Sequence, residues 1–419
     1  MTSQATALDA AASCRAMRER FGAFVEMPDV PLAGASGGAL GGLPIAIKDM
    51  IDVAGRAPTL GLARAPRAVP TRNARVFDML SQAGATVVAF AQMSPLAYEP
   101  SGANPQCGRP LNPWNADYIC GGSSSGPAVA VASGCVPLAL GSDTAGSLRI
   151  PAHCCGITAW KPTFGLVPLD GTMPLAPSLD TIGFLARTAS TISPIAEIFA
   201  NHDAPQPICR VAVARDLTRR SNARTQGAVA SMEQTLRVIG HSLGSVVLEP
   251  LLAATDAPVM TVLVGEAARV NADLISSDVL DRELRGRLEK GHAITDAQLD
   301  EARRLLKQSA ANEIERLFSA TDAILLPVMP INTPLVVACE PTGPAIAPRT
   351  LYALSSFTRF VNALGLPAIS LPAGFDEHGL PIGMQMVGPP GSDRSLIALV
   401  CEIQLATEWH SRLPPMIAE

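Results

Sequence analysis

Two glycine-bracketed runs of hydroxyl residues stand out for their chemistry: Gly121-Gly122-Ser123-Ser124-Ser125-Gly126, and then Gly141-Ser142-Asp143-Thr144-Ala145-Gly146-Ser147-Leu148-Arg149. Glycine-rich turns let backbone N–H groups point into a cavity, and a serine at such a turn ahead of a helix exposes its Oγ beside those donors. That is the outline of an acyl-transfer site, although loops and flexible connectors share the composition. A serine hydroxyl is a weak nucleophile until a base takes its proton. Lysine is scarce here, with Lys48, Lys161, Lys290 and Lys307 against 28 arginines, so Lys48 inside the apolar run Pro44-Ile-Ala-Ile-Lys48 needs a reason. Burying an ammonium is costly, and desolvation lowers its pKa toward the range of a general base. Pairing with Asp49 or Asp52 is the structural alternative.

The elements that must position these residues follow from pattern. Between residues 42 and 188, short β-like runs (44–47, 86–90, 136–140) alternate with helix-like ones (75–83, 127–132), which predicts an α/β fold. Residues 1–40 read as an N-terminal helical arm and 189–320 as mainly helical. Thr295 and Gln298 form a capping box ahead of Leu299, Ala302, Leu306, Ala310, Ile314 and Leu317, an amphipathic helix. Strands return at 323–328, 368–372 and 382–387, and a closing helix spans 393–407. No repeat or long linker divides the chain, so it reads as a single domain.

Composition narrows the function. Hydrophobic residues make up 48% and charged ones 16%, which excludes disorder and coiled coil; aromatics at 4% and a net charge of -5 speak against nucleic acid and against a polybasic membrane patch. The longest apolar stretch, 127–141, falls short of a bilayer span of about 20 residues. Nine cysteines without CxxC pairs suit a reducing cytoplasm and indicate neither a disulfide framework nor zinc. Six dispersed histidines imply no metal site.

Five ordered blocks resemble the amidase signature family: residues 42–49 (GLPIAIKD), 121–126, 141–152 (GSDTAGSLRIPA), 161–165 (KPTFG) and 178–183 (SLDTIG), with further likeness at 365–372 and 379–388. The resemblance implies a large mixed β-sheet covered on both faces by helices, no cofactor, and a catalytic triad at Lys48, Ser123 and Ser147, with a cis peptide before Ser123. Neutral Lys48 would draw a proton from Ser147 through Ser123, and Ser147 would attack an amide carbonyl. The backbone N–H groups of Thr144, Ala145, Gly146 and Ser147 match the family's oxyanion hole. Supporting parts are expected for Ser124 as a hydrogen-bond partner of Lys48, and for Asp143 and Arg149 as a pair stiffening the nucleophile loop. Lys161 and Asp180 are expected to hold the signature loops together. The family usually has Gly-Gly before the nucleophile, so Ala145 should keep a negative φ. His153 is expected to pack behind the site.

Other readings use the same residues. Gly122-Ser-Ser124-Ser-Gly126 satisfies the G-x-S-x-G elbow of α/β-hydrolases, which needs a downstream acid and histidine (His202, His241, His292, His378 or His410) and leaves Lys48 and Ser147 unused. The resemblance also covers glutaminase subunits of tRNA-dependent amidotransferases, and the chemistry extends to carbamates, ureides and esters. The substrate expected is a small or medium-sized amide, and a homodimer is compatible with the resemblance. Arg56, Arg64 and Arg67 are read as surface arginines rather than carboxylate binders, while Glu99 near the site would favour a cationic substrate.

Overall fold

The structure is a computed structural model describing residues 3–200, 204–340, 343 and 345–417. Its strands are β1 (Phe24–Glu26), β2 (Pro44–Lys48), β3 (Thr86–Ala91), β4 (Leu138–Asp143), β5 (Thr158–Lys161), β6 (Thr181–Ala186), β7 (Arg210–Ala214), β8 (Ser242–Val246), β9 (Ala323–Pro327), β10 (Ala368–Phe375) and β11 (Pro381–Val387). They form one sheet in the order β1-β3-β2-β4-β6-β5-β10-β11-β9-β7-β8. Parallel pairing joins β3, β2 and β4 at one end and β9, β7 and β8 at the other, with antiparallel pairs between.

The helices are α1 (Ser3–Phe21), α2 (Arg75–Gln82), α3 (Ser125–Ala132), α4 (Arg149–Cys155), α5 (Ala189–Phe199), α6 (Arg215–Arg220), α7 (Ala223–Val238) and α8 (Glu249–Val270). After these come α9 (Arg282–His292), α10 (Asp296–Phe318), α11 (Val336–Cys339), α12 (Pro348–Leu354), α13 (Arg359–Ala363) and α14 (Asp393–Leu405).

Side chains alternate across a strand, and here both sets are buried. Ile45, Ile47, Val87, Leu138, Leu140 and Phe184 join a core with Val76 and Leu80 of α2, Ile192 of α5 and Leu399 of α14. Ala46, Val88, Ala139 and Leu185 pack on the other face against α1, α3 and α4, through Cys14, Val129 and Ala152. Small alanines on this second face let α3 and α4 approach closely, and those two helices carry the glycine–serine runs toward the strand ends. A mixed sheet covered on both faces is therefore what the resemblance implied.

The segment 189–320 is mainly helical, through α5 to α10, and β7 and β8 within it extend the sheet, with Val211 and Val213 buried beside β9. The arm 1–40 holds α1 and also β1, which pairs with β3. The Thr295–Gln298 capping box is present at the start of α10, with Leu299, Ala302, Leu306 and Leu317 buried. Among the described residues α8 is long and apolar enough to cross a membrane, and its most apolar stretch is half buried in this fold.

Candidate active site

Lys48 ends β2 and shares the face of Ala46, so its side chain enters the layer covered by α3. It is fully buried, and its Nζ lies 2.7 Å from Ser123 Oγ, 2.8 Å from Ser142 Oγ and 3.1 Å from Ser124 Oγ. No carboxylate among the described residues pairs with it. Asp49, one of the two carboxylates of the structural alternative, accepts instead from Thr59 N (2.9 Å) and ion-pairs with Arg56 (2.6 Å). Burial pulls the Lys48 pKa down to about 7, against the opposing pull of Asp143 and Asp180. The close approach of Ser124 depends on Gly141: a Cβ there would stand 2.7 Å from Ser124 Oγ and 2.8 Å from Leu148 Cδ2.

The Gly122–Ser123 peptide is cis. The next residue, Ser124, donates its N–H to the carbonyl of Ser147 at 3.3 Å, which ties the two serine-bearing segments together. Ser124 Oγ is committed: it donates to Ser142 O (3.1 Å) and accepts from Ser142 N (3.2 Å). Among the described residues no histidine partners it, and Lys48 is what faces it instead, which speaks against the elbow reading; His202, one of the histidines that reading offered, lies outside the described residues. Ser142 is a partner of Lys48 that sequence reasoning missed; its place in the second hydroxyl run was the only signal.

The loop after β4 is built around the buried Asp143 carboxylate. Arg149 binds both of its oxygens (Nη2 2.9 Å, Nε 3.0 Å) and also donates to Gln385 Oε1 (3.0 Å) and Asn362 Oδ1 (2.6 Å). Burial, the largest influence, would raise the Asp143 pKa, but Arg149, Lys161 and Asn362 together outweigh it and hold the carboxyl at about 2. Asp143 also accepts from Gly146 N (2.8 Å) and Leu148 N (3.1 Å). This corrects the expected oxyanion hole: the Gly146 N–H is spent inside the loop. The N–H groups of Thr144, Ala145 and Ser147 have no partner among the described residues, and these three residues border a cavity of about 340 Å³. Ala145 is not among the non-glycine residues with positive φ, as expected, whereas Gly146 has φ +133°. Thr358, another residue sequence reasoning missed, donates to Ala145 O at 2.5 Å and pins the loop from α13.

The remaining expectations divide. Asp180 holds loops together, accepting from Thr144 Oγ1 (2.6 Å), Leu175 N (2.9 Å) and Ala176 N (3.0 Å). Lys161 does not: its buried Nζ donates to Pro162 O, one residue away (2.7 Å). His153 packs behind the site with Nδ1 accepting from Gly383 N at 3.0 Å, and burial pushes its pKa down to about 4. Glu99 borders the cavity, but its carboxylate accepts from Ser101 N and Ala103 N at 2.9 Å. Arg64 meets Asp278 at the surface (2.7 Å), and Arg67 is exposed. Arg56 is not a surface arginine: it lies 3.6 Å over the Phe90 ring and bridges Asp49 and Glu26.

Comparison with known proteins agrees with this geometry. The chain is 32% identical over 420 residues to the A subunit of Glutamyl-tRNA(Gln) amidotransferase from Deinococcus radiodurans, covering 90% of this chain and 86% of that one. A solved structure described as an amidase superposes with TM-score 0.85 at 26% identity, over 97% of this chain and 96% of that one. The corresponding amidotransferase chain of Thermotoga maritima superposes with TM-score 0.79 at 26% identity, over 94% and 90%. The family model described as Amidase matches residues 25–397, and the chain belongs to the Amidase family, enzymes acting on amide C–N bonds.

Proposed function

We propose that this enzyme hydrolyses a small or medium-sized amide through an acyl intermediate on Ser147, with Ser123 and Lys48 relaying the proton. The observation that carries the reading is the buried amine of Lys48 among three hydroxyls. Geometry alone would serve an ammonium equally well; burial is what favours the neutral form. A neutral amine has two N–H groups and one lone pair. Ser124 must accept one N–H, because its own hydrogen goes to Ser142 O. Ser142 takes the second N–H, which leaves the lone pair for the hydroxyl hydrogen of Ser123. Ser123 Oγ can then receive the proton of Ser147 as that oxygen attacks.

The tetrahedral oxyanion is stabilised by N–H groups of Thr144, Ala145 and Ser147, each donor of this kind being worth roughly 3 kcal/mol. Collapse breaks the C–N bond, and the relay runs backwards to protonate the departing nitrogen; water, deprotonated by the same route, releases the carboxylate. Asp143 and Arg149 hold the donors in place and touch no substrate. On this reading the whole chain works as one domain in the cytoplasm, without metal or cofactor, and as a homodimer. The same relay would cleave carbamates, ureides or esters.

A second reading, a glutaminase component that works with partner chains, is supported by the amidotransferase relatives. The purified chain alone, assayed against primary amides, anilides, carbamates, ureido compounds and glutamine for ammonia or amine release, separates the two. Hydrolysis without a partner, abolished by Ser147→Ala and only weakened by Ser124→Ala, is expected. Activity on glutamine that appears only with partner chains would favour the second reading instead.

A further inference from the structure

Thr358 stands at the N-cap of α13, where a threonine hydroxyl ordinarily accepts from the helix's own first N–H groups. It makes no such bond here. Its one hydroxyl hydrogen has two acceptors in reach, Ser355 O at 3.0 Å and Ala145 O at 2.5 Å. The Ser355 carbonyl already accepts from the N–H groups of Thr358 and Arg359, both at 3.1 Å, whereas the Ala145 carbonyl has no other donor among the described residues. The hydrogen therefore goes to Ala145, 213 residues away along the chain, and the fully buried hydroxyl serves the nucleophile loop instead of its own helix.

The other end of the same peptide unit is held as well, since Gly146 N donates to Asp143 Oδ1 at 2.8 Å. In a trans peptide the C=O and N–H point to opposite sides, so Thr358 and Asp143 grip the Ala145–Gly146 unit from opposite directions. The N–H groups of Ala145 and Ser147, which face the oxyanion, belong to the two flanking peptide units and hang from the Cα atoms of residues 145 and 146. Gly146, at φ +133° and without a Cβ, leaves the gripped unit free to rock. A Cβ there would meet Thr358 Oγ1 at 2.4 Å, so the hydroxyl lies directly against that pivot. Without the hydroxyl the Ala145 oxygen would be buried and unpaired, a cost comparable to the Gly146–Asp143 bond that holds the other end. The unit would then tilt its oxygen toward the cavity that Ala145 borders, bringing negative charge to the place where the oxyanion forms.

We infer that Thr358 is a positioning residue for the oxyanion hole: its hydroxyl locks the Ala145–Gly146 peptide so that the flanking N–H groups face the developing charge and the Ala145 oxygen stays away from it. This rests on the amidohydrolase reading for the reaction and on the contact between α13 and the nucleophile loop for the assignment.

The test measures release of ammonia or aniline from straight-chain primary amides, acetamide to hexanamide, and from their anilides, by the native chain and by Thr358→Val, which keeps the side chain's shape and removes its hydrogen bond. With the best of these substrates kcat should fall at least tenfold, a part of the roughly 10²–10³-fold that losing one whole donor costs, while KM stays within about twofold. Thr358→Ser keeps the hydroxyl and should recover most of kcat. A side chain that merely packs would show the reverse order, since valine preserves its shape and serine lacks its methyl group. An unchanged kcat in Thr358→Val, a change confined to KM, or a Thr358→Ser variant as impaired as Thr358→Val would overturn the inference. Should Thr358→Val not fold, Thr358→Cys, whose thiol is a weaker donor, must lower kcat at steady KM, and failure to do so counts against it equally. If the native chain cleaves none of these substrates, the amidohydrolase reading fails by itself. Crystal structures of the native chain and of Thr358→Val then decide: an Ala145–Gly146 peptide tilted out of its native orientation in the variant upholds the inference, and one left in place overturns it.

Discussion

If Lys48 is the base, the rate must follow its neutral fraction. A pKa of about 7 makes the amine about 1% neutral at pH 5, half neutral at pH 7 and about 90% neutral at pH 8. The value of kcat/KM should therefore rise about 50-fold from pH 5 to pH 7 and less than twofold above that. A lysine near its ordinary pKa of about 10.4 would instead give a roughly tenfold rise for each unit up to pH 9. Asp143, held at about 2, and His153, at about 4, do not titrate in this range. Lys161 does, since burial and then Arg149 lower it to about 7, so Lys161→Met is the control and should keep the same profile. Lys48→Met should lose about 10²–10⁴-fold in rate, the usual contribution of a general base.

Stability gives an independent reading of the same group. Between about pH 7 and about pH 10.4 the unfolded chain holds a proton on Lys48 that the folded chain has released, so folding stability rises with pH across that window, by up to about 1.4 kcal/mol per unit. Below it both states are protonated and the full cost of burying the charge is felt. Lys48→Met removes this contribution, so urea unfolding should show its advantage over the native chain shrinking as pH rises from 7 to 10. A rate that is flat from pH 5 to 9, or a Lys48→Met variant with native activity, refutes the relay.

Two further substitutions probe the loop. Asp143→Asn leaves the buried Arg149 guanidinium without its counter-charge and should cost about 3–5 kcal/mol in urea unfolding; a loss under 1 kcal/mol would show that the pair does not stiffen the loop. Gly146→Ala puts a Cβ 2.4 Å from Thr358 Oγ1 at a φ that side chains rarely adopt, so it should destabilise by about 1–3 kcal/mol and lower kcat by displacing the flanking N–H donors. Native kinetics in that variant would argue against those donors.

What could be read from the chain was local. The run ending in Lys48, the two hydroxyl runs and the Thr295–Gln298 cap each declare themselves within a dozen residues, because glycine turns, capping and a charge inside an apolar strand leave short-range patterns. β7 and β8 were hidden because β7 owes its place to pairing with β9, far along the sequence, and the exposed β8, which pairs with β7 at the sheet edge, has no apolar alternation to betray it.

The sequence by itself determined which reactive groups exist and that both faces of the central strands would be buried. Only the tertiary structure decided what those groups experience. Lys48 is near neutral because α3 and β4 close over it, and Ser142 becomes its partner because β2 and β4 lie side by side. The N–H of Gly146 is lost to the oxyanion because the loop curls around Asp143, and Thr358 reaches Ala145 because α13 lies against that loop. Desolvation and hydrogen-bond competition depend on neighbours brought together by folding, and chain order does not encode those distances one residue at a time.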